Sequence, residues 1–495
     1  MTSLGRRSVH AALWGNLGNV ARVGLQFLAG VLLARLLGPE AFGLVAVALI
    51  IIGLGQLVAD FGLSSAIIQA PSLDDRDVDC LYGLQLLAGL CLTVALIGLA
   101  EPIAALFSAP DAPPVICWMA PLFLLQGIGQ TPLALLYRDL DFKSVQIGRL
   151  AGYAIGYLLI GLPMALVGYG VWSLVCAHLA QAGLSSMIAL AQLKRRPRPR
   201  LEWRGSPLYR FGSVSLIANL GSWTMENAGA AVVGFVSSTT SLGLYNRALG
   251  LSTTPVSALA TGLQTVLLAA ASRAQDDPAL VRKAVLACVA FVILLCGSVL
   301  LAIVVTARSV IAGIYGPAWS AAADLLPPLG LAMVFHGLLS VIGPALAAIG
   351  RVGLESRMQW AATAVMLPLL GLASQFTVVA IAWAVFAAYV LRLALVTLAL
   401  HRSIAFNLVE VAAALSGPVM VALASALFAT LADRLFVATG PLVHLATIML
   451  AAGLGLGCAV LALRTRLVAG PLGDAWSHSG IAPGILLKLR AERPG

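Results

Sequence analysis

Arg22 stands in the middle of an apolar run that begins near residue 11, and Glu226 in the middle of another that begins near residue 211. A charged side chain at the centre of a bilayer costs roughly 2.5–3.5 kcal/mol on insertion scales, so such groups face a wet cavity, a partner or a ligand. A guanidinium presents a planar fork of donors matched to phosphate oxygens, which makes Arg22 a candidate anion ligand. The competing reading is a structural ion pair with Glu226, itself a candidate for ion coupling or substrate contact. Arg247 lies about one turn inside the end of a further run and is either a second anion ligand or a residue that snorkels to the interface. Arg35, near the end of the first run, is a third cavity cation, an interface anchor or a contact to Glu40. Asp60 could hold a proton or cation, and the adjoining Gly62 equally allows a cap or hinge.

Other side chains carry weaker signals. His178 and His336 fall inside apolar runs and could titrate near neutrality, but a neighbouring helix satisfies most such histidines. Trp223 could stack on a sugar face or simply pack. Arg392 is close enough to the end of its run to snorkel, and is left out of the site. Asp74-Asp75-Arg76-Asp77-Val78-Asp79 contains the DxD spacing of metal-dependent glycosyltransferases, yet it sits in a short loop and reads better as the polar start of a helix. The seven cysteines fall singly, with no CxxC pair or His-rich tract, so no metal site is expected. No Walker motif occurs, and no cofactor is expected.

The elements that must position these groups are membrane helices. The 495 residues are 60% hydrophobic and 10% charged, with a mean hydropathy of +0.98, outside the range of soluble domains. Apolar runs long enough to cross roughly 30 Å of hydrocarbon recur along the chain. They predict about fourteen spans, near 11–36, 41–70, 80–100, 115–137, 146–167, 170–192, 211–236, 243–271, 284–307, 321–349, 354–374, 378–400, 408–431 and 440–463. Arg6-Arg7 before the first run resembles a secretory signal, but Arg22 interrupts the run and no cleavage-site pattern follows, so it is expected to be a retained span. With both termini cytoplasmic, 24 of the 30 basic residues fall in inside segments, in line with the positive-inside rule. That topology accounts for the net charge of +10 without a nucleic-acid partner. The run Lys194 to Arg200 is expected to be a solvated linker, although anionic lipid could also bind it.

Prolines 197 and 199 make that linker extended, and it divides the chain. The expected organisation is an N-lobe of six spans over 1–193, a basic cytoplasmic linker over 194–210, a C-lobe of six spans over 211–403, two further spans over 404–463 and a cytoplasmic tail over 464–495. Asn16-Leu17-Gly18 echoes Asn219-Leu220-Gly221, and Phe42-Gly43-Leu44 echoes Leu242-Gly243-Leu244. Six spans per copy make this a parallel repeat, related by an axis along the membrane normal, with a central cavity between lobes. The expected fold class is therefore an all-α integral membrane protein. Short outer connections, the longest near 308–320, argue against an enzyme with an extracytoplasmic catalytic domain.

Leu33 to Gln69 (LARLLGPEAFGLVAVALIIIGLGQLVADFGLSSAIIQ) resembles the first hairpin of the polysaccharide exporters, a branch of the multidrug/oligosaccharidyl-lipid/polysaccharide exporter superfamily. GLYNRA at 243–248, SRAQ at 272–275, YGPAW at 315–319 and AIGR at 348–351 extend the resemblance over most of residues 10–400. It is nearest to Wzx-type flippases of the colanic-acid-exporter kind. The resemblance implies alternating-access export of undecaprenyl-diphosphate-linked oligosaccharide across a bacterial inner membrane, with no enzymatic step. A proton or sodium ion exchanged through Glu226 or Asp60 is the candidate coupling ion that would reset the empty carrier, and polysaccharide polymerase and chain-length or export proteins are candidate partners beside the lipid bilayer. Arginines on the first and eighth helices line the cavity of lipid-II flippases in the same superfamily, which points to Arg22 and Arg247. The rival readings are a drug:cation antiporter, whose cargo these arginines would repel, and a membrane polymerase, ligase or glycosyltransferase.

Overall fold

The computed structural model describes residues 3–70, 72–201, 207–273, 278–403, 407–436 and 440–463, in parts of α1, α10, α11, α12, α15, α16 and α18 by their backbone alone. Among the described residues there are helices and connections but no strands. In chain order they are α1 (Ser3–Asp60), α2 (Leu63–Gln69), α3 (Asp75–Gly98), α4 (Ala100–Leu106), α5 (Ala112–Met119), α6 (Leu122–Arg138), α7 (Phe142–Tyr153), α8 (Leu162–Val167), α9 (Val171–Gln192) and α10 (Pro207–Val236). They continue with α11 (Thr239–Arg273), α12 (Pro278–Val292), α13 (Ser298–Val305), α14 (Ala307–Ile314), α15 (Leu326–Ala348), α16 (Val352–Ala373), α17 (Val378–His401), α18 (Leu408–Leu435) and α19 (Pro441–Ala462). Wide π turns join α7 to α8 over Ala154–Gly161 and α12 to α13 over Ile293–Gly297.

Among the described residues, ten helical segments are long and apolar enough to cross a membrane. One of them, Leu17–Asp60, covers the first two predicted spans, because α1 breaks at Gly38 (φ 72°) beside Pro39. Only glycine adopts that conformation freely, and the proline removes a helical donor. Together with α10, α11 and α16, these segments carry all fourteen runs read from the sequence. The tail over 464–495, the end of the SRAQ motif and most of 201–206 lie outside the described residues, as do the side chains of Arg6 and Arg7.

The chain divides into two compact units, Met1–Arg247 with Leu369–Ile381, and Ala248–Pro368 with Ala382–Gly495. Within the first, the two echoed Phe/Leu-Gly-Leu motifs meet each other. A Cβ on Gly43 would lie 1.8 Å from the carbonyl oxygen of Thr239, four residues before Gly243. A Cβ on Gly243 would lie 2.0 Å from the carbonyl oxygen of Pro39, four residues before Gly43. This reciprocity is what a local two-fold relation between the repeats requires, and small residues allow the backbones to approach so closely. Beside the crossing, Leu242 and Tyr245 are fully buried.

The linker residues 194–200 are exposed apart from Pro197, yet the linker is tethered to α3. Arg195 binds the carboxylate of Asp79 at 2.8 Å, the Arg198 backbone N–H donates to the same carboxylate at 2.8 Å, and the Arg200 N–H donates to the Asp79 carbonyl at 3.2 Å. Gly83 leaves room for the Arg200 backbone, since a Cβ there would stand 2.2 Å from the Arg200 carbonyl oxygen. Donating to the Asp79 carboxylate holds the Arg195 guanidinium above its usual range. The last acid of the DxD stretch thus anchors a strap, while Asp74 supplies the N-cap position of α3. No cluster of metal-ligating side chains occurs among the described residues.

In the second unit, the expected outer connection near 308–320 is a packed segment. α14 is amphipathic, Gly316 turns with φ 92°, and Pro317 opens a 3₁₀ turn that buries Trp319 completely. The YGPAW motif is accounted for by this corner.

Candidate functional site

On α1, Asn19, Arg22, Gln26 and Gly30 recur at three- and four-residue intervals and so share one face. Arg22 donates to the Asn19 side-chain oxygen at 2.9 Å and to that of Gln26 at 3.2 Å. Its Nε is buried with no partner. These neutral amides fix the guanidinium without cancelling its charge. Among the described side chains no acid is bonded to Arg22, so the alternative ion pair with Glu226 is not formed.

α7 packs along this part of α1, with Gly15 and Gly18 admitting Phe142 and Gln146. Gln146 donates to the Gly15 carbonyl at 3.3 Å. Arg149, Tyr153 and Tyr157 follow at i, i+4 and i+8, again one face. Tyr153 and Tyr157 stack with centroids 4.2 Å apart and planes 10° from parallel. The Arg149 guanidinium lies 5.6 Å from the Tyr137 ring centre. Arg149, Tyr137 and Tyr153 all act electrostatically on Arg22. The π turn over Ala154–Gly161 begins directly after Tyr153, widening the helix where the tyrosine pair sits.

Arg247, on α11, reaches the same group. Its guanidinium lies 3.8 Å from the Phe42 ring centre, and one nitrogen would stand 3.0 Å from a Cβ on Gly30. Cation–π contact with Phe42 stabilises the charge without neutralising it. Arg247 and Arg22 both act on Tyr153, and Arg247 acts on Tyr157 and His178. His178 Nδ1 faces the Leu174 carbonyl at 2.9 Å and must carry the proton, so Nε2 accepts from the Tyr157 hydroxyl at 2.9 Å. His178 therefore fixes the tyrosine pair. Arg22 and Arg247 both act on Tyr153, while Arg149 lies by Tyr137 and acts on Arg22, so the three form a chain of cations along the tyrosine pair suited to a multiply charged anion.

Asp60 belongs to a separate network. Phe61 (φ 47°) and Gly62 (φ 69°) are left-handed and end α1. Asp60 accepts from the Ser64 backbone N–H at 3.3 Å, from the Ser64 hydroxyl, and from Gln85 at 3.2 Å. Gln85 accepts from Thr131 at 2.6 Å. This geometry caps α2 and ties α1, α3 and α6 together. Glu226 and Arg35 lie on exposed faces of α10 and α1. Trp223 packs its indole nitrogen against Gly53, where a Cβ would stand 2.9 Å away.

Arg392 does not snorkel. It turns inward on the second unit, donating to Glu355 at 3.0 Å and Gln359 at 2.8 Å, with its side chain 11% exposed. His336 sits edge-to-face on Tyr389 at 5.5 Å, and its Nδ1 is buried without a partner.

Sequence reasoning passed over Arg149, counted among the cytoplasmic cations, and the tyrosines that follow it. Their four-residue spacing was the available signal.

The model of the family described as "Polysaccharide biosynthesis protein" matches residues 32–324. The succinoglycan biosynthesis transport protein ExoT of Rhizobium meliloti is 29% identical over 48% of this chain and 46% of its own length, so the chain spans about half of that relative. The lipopolysaccharide biosynthesis protein WzxC of Escherichia coli is 26% identical over 71% of this chain and 72% of its own. Among solved structures, the lipid II flippase MurJ in its inward closed conformation covers 92% of this chain at 14% identity with a TM-score of 0.73, along the whole of its own length. An inward-facing multidrug resistance transporter of the MATE family, within the MOP superfamily, covers 79% of this chain and 94% of its own at 17% identity with a TM-score of 0.59. The fold is thus the all-helical one shared by these transporters, and the chain belongs to the polysaccharide biosynthesis protein family.

Proposed function

We propose that this protein is a flippase that moves an undecaprenyl-diphosphate-linked oligosaccharide from the cytoplasmic to the outer leaflet of a bacterial inner membrane, for surface polysaccharide synthesis. The observation that carries the reading is the pair Arg22 and Arg247, both acting on the stacked Tyr153, with Arg149 acting on Arg22 in turn. A cation at the membrane centre, as at Arg22, costs roughly 2.5–3.5 kcal/mol, and a diphosphate offsets that cost by accepting several forked hydrogen bonds. A hydrophobic cation would be repelled, which disfavours the antiporter.

Both termini face the cytoplasm, and the two repeats, 1–193 and 211–403, act as lobes that expose the arginine group to each side in turn. An inside-negative potential contributes about 2.3 kcal/mol per charge per 100 mV toward outward movement of the anion. Transport involves no covalent step. Arg35 attracts the headgroup near the break in α1 at Gly38, and Glu226, with or without Asp60, exchanges a proton or sodium ion to reset the empty carrier. Polymerase and chain-length proteins receive the product.

The test is leaflet distribution in cells. With the protein absent, or carrying Arg22→Ala or Arg247→Ala, chemically complete lipid-linked repeat units should accumulate on the cytoplasmic side. Normal flipping in the variants, or incomplete repeat units in the deletion, would reject the reading. Undiminished transport after neutralising Glu226 and Asp60 together would remove the coupling role alone.

A further inference from the structure

The second unit contains a cavity of about 370 Å³ remote in sequence from the arginine group, between the ends of α13, α14, α15, α17 and α18. Arg308, Asp324, Pro327, Pro328, Trp383 and Asp433 line it. Its volume falls within the range of small-molecule sites, roughly 300–1,000 Å³. With cytoplasmic termini, every one of these helix ends lies on the outer side.

Asp433 is set with unusual care for a surface carboxylate. Oδ1 accepts from the Ser309 hydroxyl and from His444 Nε2 at 2.9 Å, while His444 Nδ1 faces the Phe436 carbonyl at 2.9 Å. Both ring nitrogens of His444 are engaged, one by Asp433 and one by the Phe436 carbonyl, so the ring holds the carboxylate in place. Both bonds to the carboxylate fall on Oδ1, so Oδ2 is left to accept from a ligand. Across the cavity, Arg308 and Asp324 stand 3.8 Å apart with side chains 89% and 63% exposed, a loose pair whose donors and acceptors remain largely unspent.

Trp383 supplies an aromatic surface. It is 45% exposed, and its plane is fixed by an edge-to-face contact with Phe386 at 5.4 Å, which rests in turn on Phe335 at 5.5 Å. Pro327 and Pro328 add a rigid apolar wall. The lining thus sets one guanidinium and two carboxylates, with donors and acceptors to spare, beside a single aromatic face. That mixture fits a ligand with an apolar face and many hydroxyls.

We infer that this cavity is an outer saccharide subsite, in which a sugar ring stacks on Trp383 while its hydroxyls donate to Asp433 and exchange hydrogen bonds with Arg308 and Asp324. The inference rests on the flippase reading for its ligand class. The subsite holds the glycan after the headgroup leaves the arginines, biasing release toward the outer side.

The probe is the free oligosaccharide released by mild acid from the cell's own lipid-linked repeat unit, titrated against full-length protein in lipid nanodiscs. Inorganic diphosphate is titrated in parallel. Oligosaccharide affinity should fall at least tenfold in Trp383→Ala and in Asp433→Asn, with diphosphate binding unchanged in both. Trp383→Ala guards against misfolding, because its side chain is half exposed and bonds nothing in the Asp433 network. Absence of oligosaccharide binding to the native protein, equal binding in both variants, or loss of diphosphate binding in Trp383→Ala would overturn the subsite. Arg22→Ala, scored for flipping, tests the flippase reading separately: its normal flipping would sink that reading and leave the binding result standing.

Discussion

Replacing Gly43 with alanine puts a methyl carbon 1.8 Å from the Thr239 carbonyl oxygen, where ordinary contact begins at 3.4 Å. The backbones must therefore separate by about 1.6 Å at the crossing. A radial gap of even 0.5–1 Å forfeits about a quarter to a half of each contact's attraction, so the cost belongs near the top of the overpacking range of about 1–3 kcal/mol. Alanine returns up to about 1 kcal/mol through helix propensity, leaving a net loss near 2 kcal/mol. Gly243→Ala needs a separation of about 1.4 Å at the same place, with a similar net loss. Because one separation relieves both clashes, the double variant should cost about as much as either single one, with a coupling near 2 kcal/mol. Unfolding in mixed micelles titrated with SDS measures this. Gly457→Ala, on an exposed face of α19 with nothing within 4 Å of its Cβ, is the control and should be neutral or slightly stabilising. Single variants within about 0.5 kcal/mol of the native protein, or strict additivity in the double, would refute the reciprocal crossing.

Arg392→Met leaves Glu355 and Gln359 facing an apolar group and should destabilise by about 3–5 kcal/mol, while the double change Arg392→Met with Glu355→Gln recovers much of that; micelle unfolding decides it. Asp79→Ala releases the strap, so trypsin should cut between Lys194 and Arg200 faster than in the native protein, and an unchanged cutting rate would contradict the anchoring. Asp60→Ala removes the acceptor that starts α2 and should cost about 1–2 kcal/mol, whereas a loss of transport with stability intact would assign Asp60 to coupling instead.

How much of this was legible in the sequence follows from what kind of contact each feature uses. Span positions depend on local hydrophobicity, and all fourteen runs fall on helices. Local chain breakers likewise announced themselves, as at Gly38-Pro39 and Gly62. The inward turn of Arg392 depends on Glu355, 37 residues away, and nothing local signals that α16 lies beside α17 at that depth. Arg149 was hidden by its place near a span end, where the positive-inside pattern accounted for it already. The strap on Asp79 joins residues 116 apart; each charge run alone reads as solvated. The π turn after Tyr153 lies in a run with Gly156 and Gly161, but glycines are scattered through most of these spans and do not single it out.

The central claim is that the arginine group handles the diphosphate. Its most direct measurement is the rate of transfer of lipid-diphosphate-linked oligosaccharide between leaflets of proteoliposomes holding the purified protein, native or with Arg22, Arg149 or Arg247 changed to Gln. A lost charge-assisted hydrogen bond costs about 1.5–3 kcal/mol, so each variant should slow transfer by about tenfold to a hundredfold while the protein stays folded. Transfer at the native rate in all three would contradict the account.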